Sequence, residues 1–110
     1  MGNAGCFSEI IRHLSRKKPA LTEVRPGEWK IMKPVVELDP DGENLYCQYG
    51  HHYLHIHYDG GHPYNPYRIG IDSGCVFARE QEFGTRYYTD VAPTERDVVE
   101  CIRYRLRTDR

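Results

Sequence analysis

Two segments of the chain repeat apolar residues with the period of an amphipathic helix. Near the N-terminus the repeat falls at i, i+3, i+4 and i+7, at Phe7, Ile10, Ile11 and Leu14. Ser8 is the predicted N-cap of this helix, and Pro19 ends it. Near the C-terminus the apolar stripe consists of Val98, Val99, Ile102 and Leu106, preceded by Thr94 and Asp97 at capping-box spacing. The sequence therefore predicts a helix at each end.

Between these helices apolar and polar residues alternate, which is typical of half-buried strands. A strand is predicted over residues 29–38, where Pro34 permits only an edge or bulged position because it has no N–H. Turns are predicted at residues 39–42 and at Gly50, and an irregular loop over residues 59–66. The remaining predicted strands cover residues 44–58 on either side of Gly50, 67–71, 76–83 and 86–91.

This order of elements predicts an α+β fold. We expect an antiparallel sheet of four to five strands, with the N-terminal and the C-terminal helix packed on one face. A chain of 110 residues is long enough for one core. Residues 19–110 are expected to form this single domain, and residues 1–18 a basic helix that extends from it.

Charge and cysteine usage narrow the class of protein. The net charge of −1 makes nucleic acid an unlikely partner, since phosphate contacts require a dominant basic surface. We find no apolar run long enough to cross a bilayer and no secretory signal. The four cysteines show no paired metal-ligand spacing, so reduced thiols and a cytoplasmic location are expected.

The first residues, Met-Gly-Asn-Ala-Gly-Cys, resemble the N-myristoylation start of host-acylated bacterial effectors and plant signalling proteins. The resemblance implies myristate on Gly2, although Cys6 stands where the pattern has Ser or Thr, and Cys6 could take palmitate. One acyl chain binds a membrane only marginally, so a basic patch would help. That patch would consist of Arg12, Arg16, Lys17 and Lys18. The alternative is an ordinary start followed by a packed helix with a solvated charged side.

A histidine-rich strand is the second signal. Alternation places five residues on one strand face, namely His51, Tyr53, His55, His57 and Asp59. His55 and His57, with Asp59 or His62, could bind a divalent metal. The pair is similar to the His-x-His of cupin metal sites, but that family's other ligands do not follow it. We prefer an exposed face without a cofactor.

The leading hypothesis is a non-enzymatic interaction module of the effector or adaptor type, held at the inner face of a membrane and binding a partner protein. Its expected partner-binding residues are Tyr53, His55, His57, His62, Tyr64 and Tyr67. One alternative is a small metal-dependent enzyme that uses the histidine strand. Others are an immunity-type inhibitor that blocks a partner protein, and a thiol enzyme that uses Cys75.

Overall fold

The computed structural model describes residues 4–73 and 90–108. A 3₁₀ turn at Ala4–Phe7 leads into helix α1, Ser8–Ser15, and the described chain ends in helix α2, Glu95–Thr108. The strands between them are β1 (Ala20–Arg25), β2 (Glu28–Met32), β3 (Val35–Leu38), β4 (Asn44–Tyr49), β5 (His52–Tyr58), β6 (Tyr67–Ser73) and β7 (Asp90–Ala92).

Strands β3 to β7 form one antiparallel sheet in sequence order. One face of this sheet is apolar, because the register places apolar residues of neighbouring strands opposite one another. One such row crosses four strands and consists of Leu38, Leu45, Ile56 and Ile69. The same interior receives Phe7, Ile10 and Leu14 from the N-terminal segment and Val98, Val99 and Ile102 from α2. Both helices therefore pack on one face of the sheet, and the predicted α+β fold is confirmed.

The capping of the two helices differs. Thr94 Oγ1 accepts the Asp97 backbone N–H at 3.2 Å and donates to its carboxylate at 2.8 Å, as predicted. The prediction that Ser8 caps α1 is wrong. The N-cap residue is Phe7, whose side chain cannot accept a hydrogen bond from the helix. Instead the Glu95 carboxylate accepts the backbone N–H groups of Glu9 and Ile10 at 2.8 and 3.1 Å. The C-terminal helix thus caps the N-terminal one.

Strands β1 and β2 form a separate two-stranded sheet, which the sequence analysis did not predict. The turn between them contains Gly27 at φ 77°. The predicted strand over residues 29–38 divides into β2 and β3 at Lys33 and Pro34, as expected where proline interrupts a ladder. The hairpin joins the main sheet through Gln48, whose Nε2 donates to the Glu23 carbonyl at 2.7 Å, and through Gly50, whose N–H reaches Thr22 Oγ1 at 3.3 Å.

Several predicted features fall beyond the described ranges. They include the strand over residues 76–83, most of the strand over 86–91, and both Gly2 and Cys75. In the described part of the chain, neither helix is long and apolar enough to cross a membrane.

Candidate functional site

The histidine strand lies in the centre of the sheet, between β4 and β6. His57 lies opposite Asn44 on β4, and His55 is two residues away on the same face. The Asn44 side-chain oxygen is 2.8 Å from His55 Nε2 and 3.0 Å from His57 Nδ1. An amide oxygen only accepts, so each imidazole donates an N–H to it. Asn44 Nδ2 donates in turn to Asp39 at 2.8 Å, which fixes the orientation of the amide.

The expectation that this face is exposed is wrong at two positions. His55 and Tyr53 are each only 4% exposed. The His55 ring stacks on Tyr46 with centroids 4.6 Å apart, and its neighbour on β6 is Gly70. A neighbouring glycine has no side chain to compete with the ring for space. His57 is half-buried, so it is the one member of this group with accessible surface.

The two other predicted metal ligands have different contacts. The Asp59 carboxylate accepts the Gly61 N–H at 3.0 Å and lies 3.9 Å from an Arg68 nitrogen. His62 Nδ1 accepts the Asn65 N–H at 3.1 Å. Within residues 4–73 and 90–108, no three His, Cys, Asp or Glu side chains come together as a metal-binding group. The structure therefore hydrogen-bonds His55 and His57 to the side-chain amide of Asn44. Asp59 and His62 lie in the loop that follows β5, where each has its own partners.

Tyr64, in the loop before β6, and Tyr67, the first residue of β6, lie in opposite environments. Tyr64 is 77% exposed, whereas Tyr67 is 5% exposed and its hydroxyl donates to the Cys6 carbonyl at 2.6 Å. Burial and the nearby Glu95 raise the pKa of Tyr67, so this phenol stays protonated. Tyr67 anchors the N-terminal segment to the sheet, which leaves Tyr64 and the half-buried His62 as the accessible predicted contacts in this loop.

The basic residues of the N-terminal segment are mostly accessible. Arg12, Arg16 and Lys18 are exposed, while Lys17 is half-buried with Nζ 5.5 Å from the Tyr49 ring centroid. Burial is the main cause that lowers the pKa of Lys17. Cys6 is half-buried and packs against the core. Palmitate on Cys6 would require this thiol to leave its packed position.

Cys47 and Cys101 are unsuited to nucleophilic chemistry. Burial raises the pKa of Cys47 to about 12, even though nearby Lys17 lowers it. Burial, with the neighbouring Asp90, also raises the pKa of Cys101. The thiolate is the reactive form, and neither group forms it near neutral pH.

An apolar surface that sequence reasoning missed lies on the hairpin. Leu21 on β1 pairs with Ile31 on β2, and Glu23 pairs with Trp29 two residues along, so Leu21, Trp29 and Ile31 share one face. They are 54%, 46% and 68% exposed, respectively. Thr22, on the opposite face, is fully buried against the β4–β5 turn. We call Leu21, Trp29 and Ile31 the hairpin surface.

A sequence signal for this hairpin existed. Pro26-Gly27 lies between two short runs that contain apolar residues, Leu-Thr-Glu-Val and Trp-Lys-Ile, and a Pro-Gly pair in such a position is typical of a turn. The apolar residues of the run before the turn, Leu21 and Val24, are three positions apart and therefore do not alternate with polar residues. The sequence pattern therefore predicts a strand after the turn, at β2, and gives no signal for its partner β1.

No protein-family model matches this chain, and no curated protein or solved structure is significantly similar to it. The fold and the side-chain geometry are therefore the basis of the functional proposals below.

Proposed function

We propose that this protein is a small non-enzymatic interaction module that binds a partner protein through the hairpin surface. The observation that carries the proposal is the exposure of Leu21, Trp29 and Ile31 together on one face of β1 and β2. Contiguous exposed apolar residues are typical of interaction sites. Tryptophan is enriched among the residues that contribute most to protein–protein binding.

The fold does not need the hairpin surface for its own packing. The hairpin is held on its other face, where Thr22 is buried and Gln48 and Gly50 form the hydrogen bonds to it. In the hydrophobic core formed by the described residues, none of the three surface residues takes part. Their side chains are thus available to a partner without unfolding any described element.

The dimensions of the hairpin favour a concave partner over a second copy of this chain. Strands of six and five residues give a strip roughly 20 Å long and about 10 Å wide. Two such strips face to face cover far less than the roughly 800 Å² per partner of a stable interface. A groove that receives the hairpin also contacts its flanks and can bury enough area. We therefore expect the partner to present an apolar groove.

Position-specific crosslinking tests this function. A photoreactive amino acid is placed at Ile31 and, as a control, at Asp41, which is exposed in the β3–β4 turn. We expect a single adduct from position 31 that unlabelled wild-type protein competes away and an Ile31→Asp variant does not. An adduct formed equally from position 41, or equal competition by the variant, would overturn the proposal. An adduct of two copies of this chain would assign the surface to self-association instead and also overturn it.

We also propose that the N-terminus holds this module at a membrane through myristate on Gly2. The support is the exposure of Arg12, Arg16 and Lys18, since each basic residue near an anionic leaflet contributes about 1 kcal/mol. Mass spectrometry of the protein from eukaryotic cells should show the added myristoyl mass, and a Gly2→Ala variant should lack it. An unmodified Gly2 with no membrane-bound fraction would exclude this tether and leave the hairpin proposal intact.

A further inference from the structure

The two helices enclose a charged groove at the surface of the molecule. The groove-lining positions of α1 and its C-cap residue follow i, i+3, i+4 and i+7 from Glu9 to Arg16. On α2 they follow the same spacing from Arg96 to Arg103 and include Val99. Each stripe runs beside the apolar stripe of its helix, so packing the helices brings the charged stripes together. The groove holds about 200 Å³.

The groove carries a surplus of positive charge. Its walls contain four arginines and two glutamates, namely Arg12, Arg16, Arg96, Arg103, Glu9 and Glu100. Glu9 pairs with Arg96 at 3.1 Å, and Glu100 lies 3.8 Å from Arg103. Across the described ranges, no carboxylate lies within ion-pair distance of Arg12 or Arg16. Within the described part of the chain, two positive charges of this small concave site therefore have no carboxylate partner.

This arrangement matches the chemistry of phosphate. A phosphate monoester carries a charge of about −1.5 to −2 near neutral pH, close to the surplus of the groove. Guanidinium groups bind phosphate oxygens through two parallel hydrogen bonds. The two existing ion pairs are solvent-exposed and therefore weak, so Arg96 and Arg103 can turn to an anion at little cost.

His13 adds a group that would respond to an anion. It lines the groove, and its Nε2 is buried and has no hydrogen-bond partner among the residues that the structure describes. Burial lowers the pKa of His13, as do the charges of Lys17, Arg103 and Arg16, while Glu100 opposes them. The imidazole is therefore neutral at neutral pH. A dianion beside it would offset the surrounding positive charge and raise the pKa of His13.

We propose that the groove between α1 and α2 binds a phosphate monoester group, with Arg12, Arg16 and Arg103 as its principal contacts. The ligand is either a phosphorylated soluble molecule or a phosphorylated lipid headgroup, which offer the same chemistry. The groove and the hairpin surface lie on different elements, so a variant of one leaves the other unchanged.

Two probes distinguish these sources. Inositol trisphosphate is titrated into the protein while the His13 imidazole is followed by NMR, and vesicles containing phosphatidylinositol bisphosphate are compared with phosphatidylserine vesicles of equal charge. Saturable binding of the soluble probe, with a raised pKa of His13, supports a soluble ligand. Binding confined to the bisphosphate vesicles supports a lipid headgroup.

Arginine variants connect either result to the groove. Arg12→Gln and Arg103→Gln should each weaken binding about tenfold, as expected for one lost charged contact. Arg25→Gln, an exposed arginine at the end of β1, is the matched control and should bind like the wild type. Neither probe binding, equal binding to phosphatidylserine vesicles with no response of His13, or equal loss in Arg25→Gln would overturn the proposal. Unfolding curves of all three variants show whether each retains its fold.

Discussion

Strands β2 and β5 show how the same alternating pattern leads to two different outcomes. In β5, Leu54 and Ile56 lie under the two helices and are fully buried. In β2, Trp29 and Ile31 alternate in the same way, but among the described elements neither helix packs on their face and both stay exposed. Alternation therefore specifies which residues share a face, while the packing of other elements decides whether that face becomes core or surface.

The largest expected effect comes from replacing a leucine by alanine in the core and comparing it with the same replacement on the hairpin surface. Leu14→Ala removes a fully buried side chain from α1 and should lower the free energy of unfolding by about 2–5 kcal/mol. Leu21→Ala, at a position that is 54% exposed, should lower it by less than about 0.5 kcal/mol. Chemical denaturation measures both. Equal losses would mean that the hairpin surface belongs to the core.

The cap that α2 provides for α1 should have the next largest effect. Glu95→Gln weakens the hydrogen bonds to the N–H groups of Glu9 and Ile10 and should cost about 1–2 kcal/mol. Glu100→Gln, on the exposed side of the same helix, is the control and should be nearly neutral. If denaturation shows no difference between the two variants, the docking of α1 does not depend on Glu95.

Caps and turns could be predicted from the sequence, because a few neighbouring residues determine them. Thr94 and Asp97 cap α2 as their spacing indicates, and Gly50 adopts φ 65° at the turn between β4 and β5. The period-2 pattern also placed His55 and His57 on one face, but it contains no information on what covers that face. The burial of His55 follows from tertiary packing and could not be predicted from the strand alone.

The candidate site was less predictable than the fold. Asn44 meets both histidines only because the Gly50 turn sets the register of β4 against β5, which composition does not reveal. The arginine groove requires knowledge that the two helices, more than eighty residues apart, lie side by side. The hairpin surface could be predicted only if β1 had been identified as the strand that pairs with β2.

Weakening the contact between the hairpin and the main sheet should destabilise β1 and β2 and leave β5 unaffected. Gln48→Ala removes the hydrogen bond to the Glu23 carbonyl, which is worth about 0.5–1.5 kcal/mol. Hydrogen exchange should quicken in β1 and β2 and stay unchanged in β5, because β5 is held by its own ladders and the helices. Faster exchange across β5 as well would show that the hairpin supports the whole sheet.

The smallest expected effect is acid sensitivity at the β3–β4 turn. Burial raises the pKa of Asp39, but hydrogen bonds from Asn44 and Glu43 outweigh it and hold the pKa below the ordinary 3.8. A lowered folded-state pKa stabilises the protein above the unfolded value, and this stability is lost as the pH falls below it. The stability advantage of wild type over Asp39→Asn should therefore shrink below about pH 4. Denaturation curves at several pH values measure it, and a constant difference would contradict this role.

The fluorescence of Trp29 tests the openness of the hairpin surface most directly, because it is the one tryptophan in the chain. We expect the isolated protein to emit like solvent-exposed indole, acrylamide to quench this emission readily, and a bound partner to protect it. Blue-shifted emission with strong protection from acrylamide in the isolated protein would show that this face is already covered, and would contradict the account.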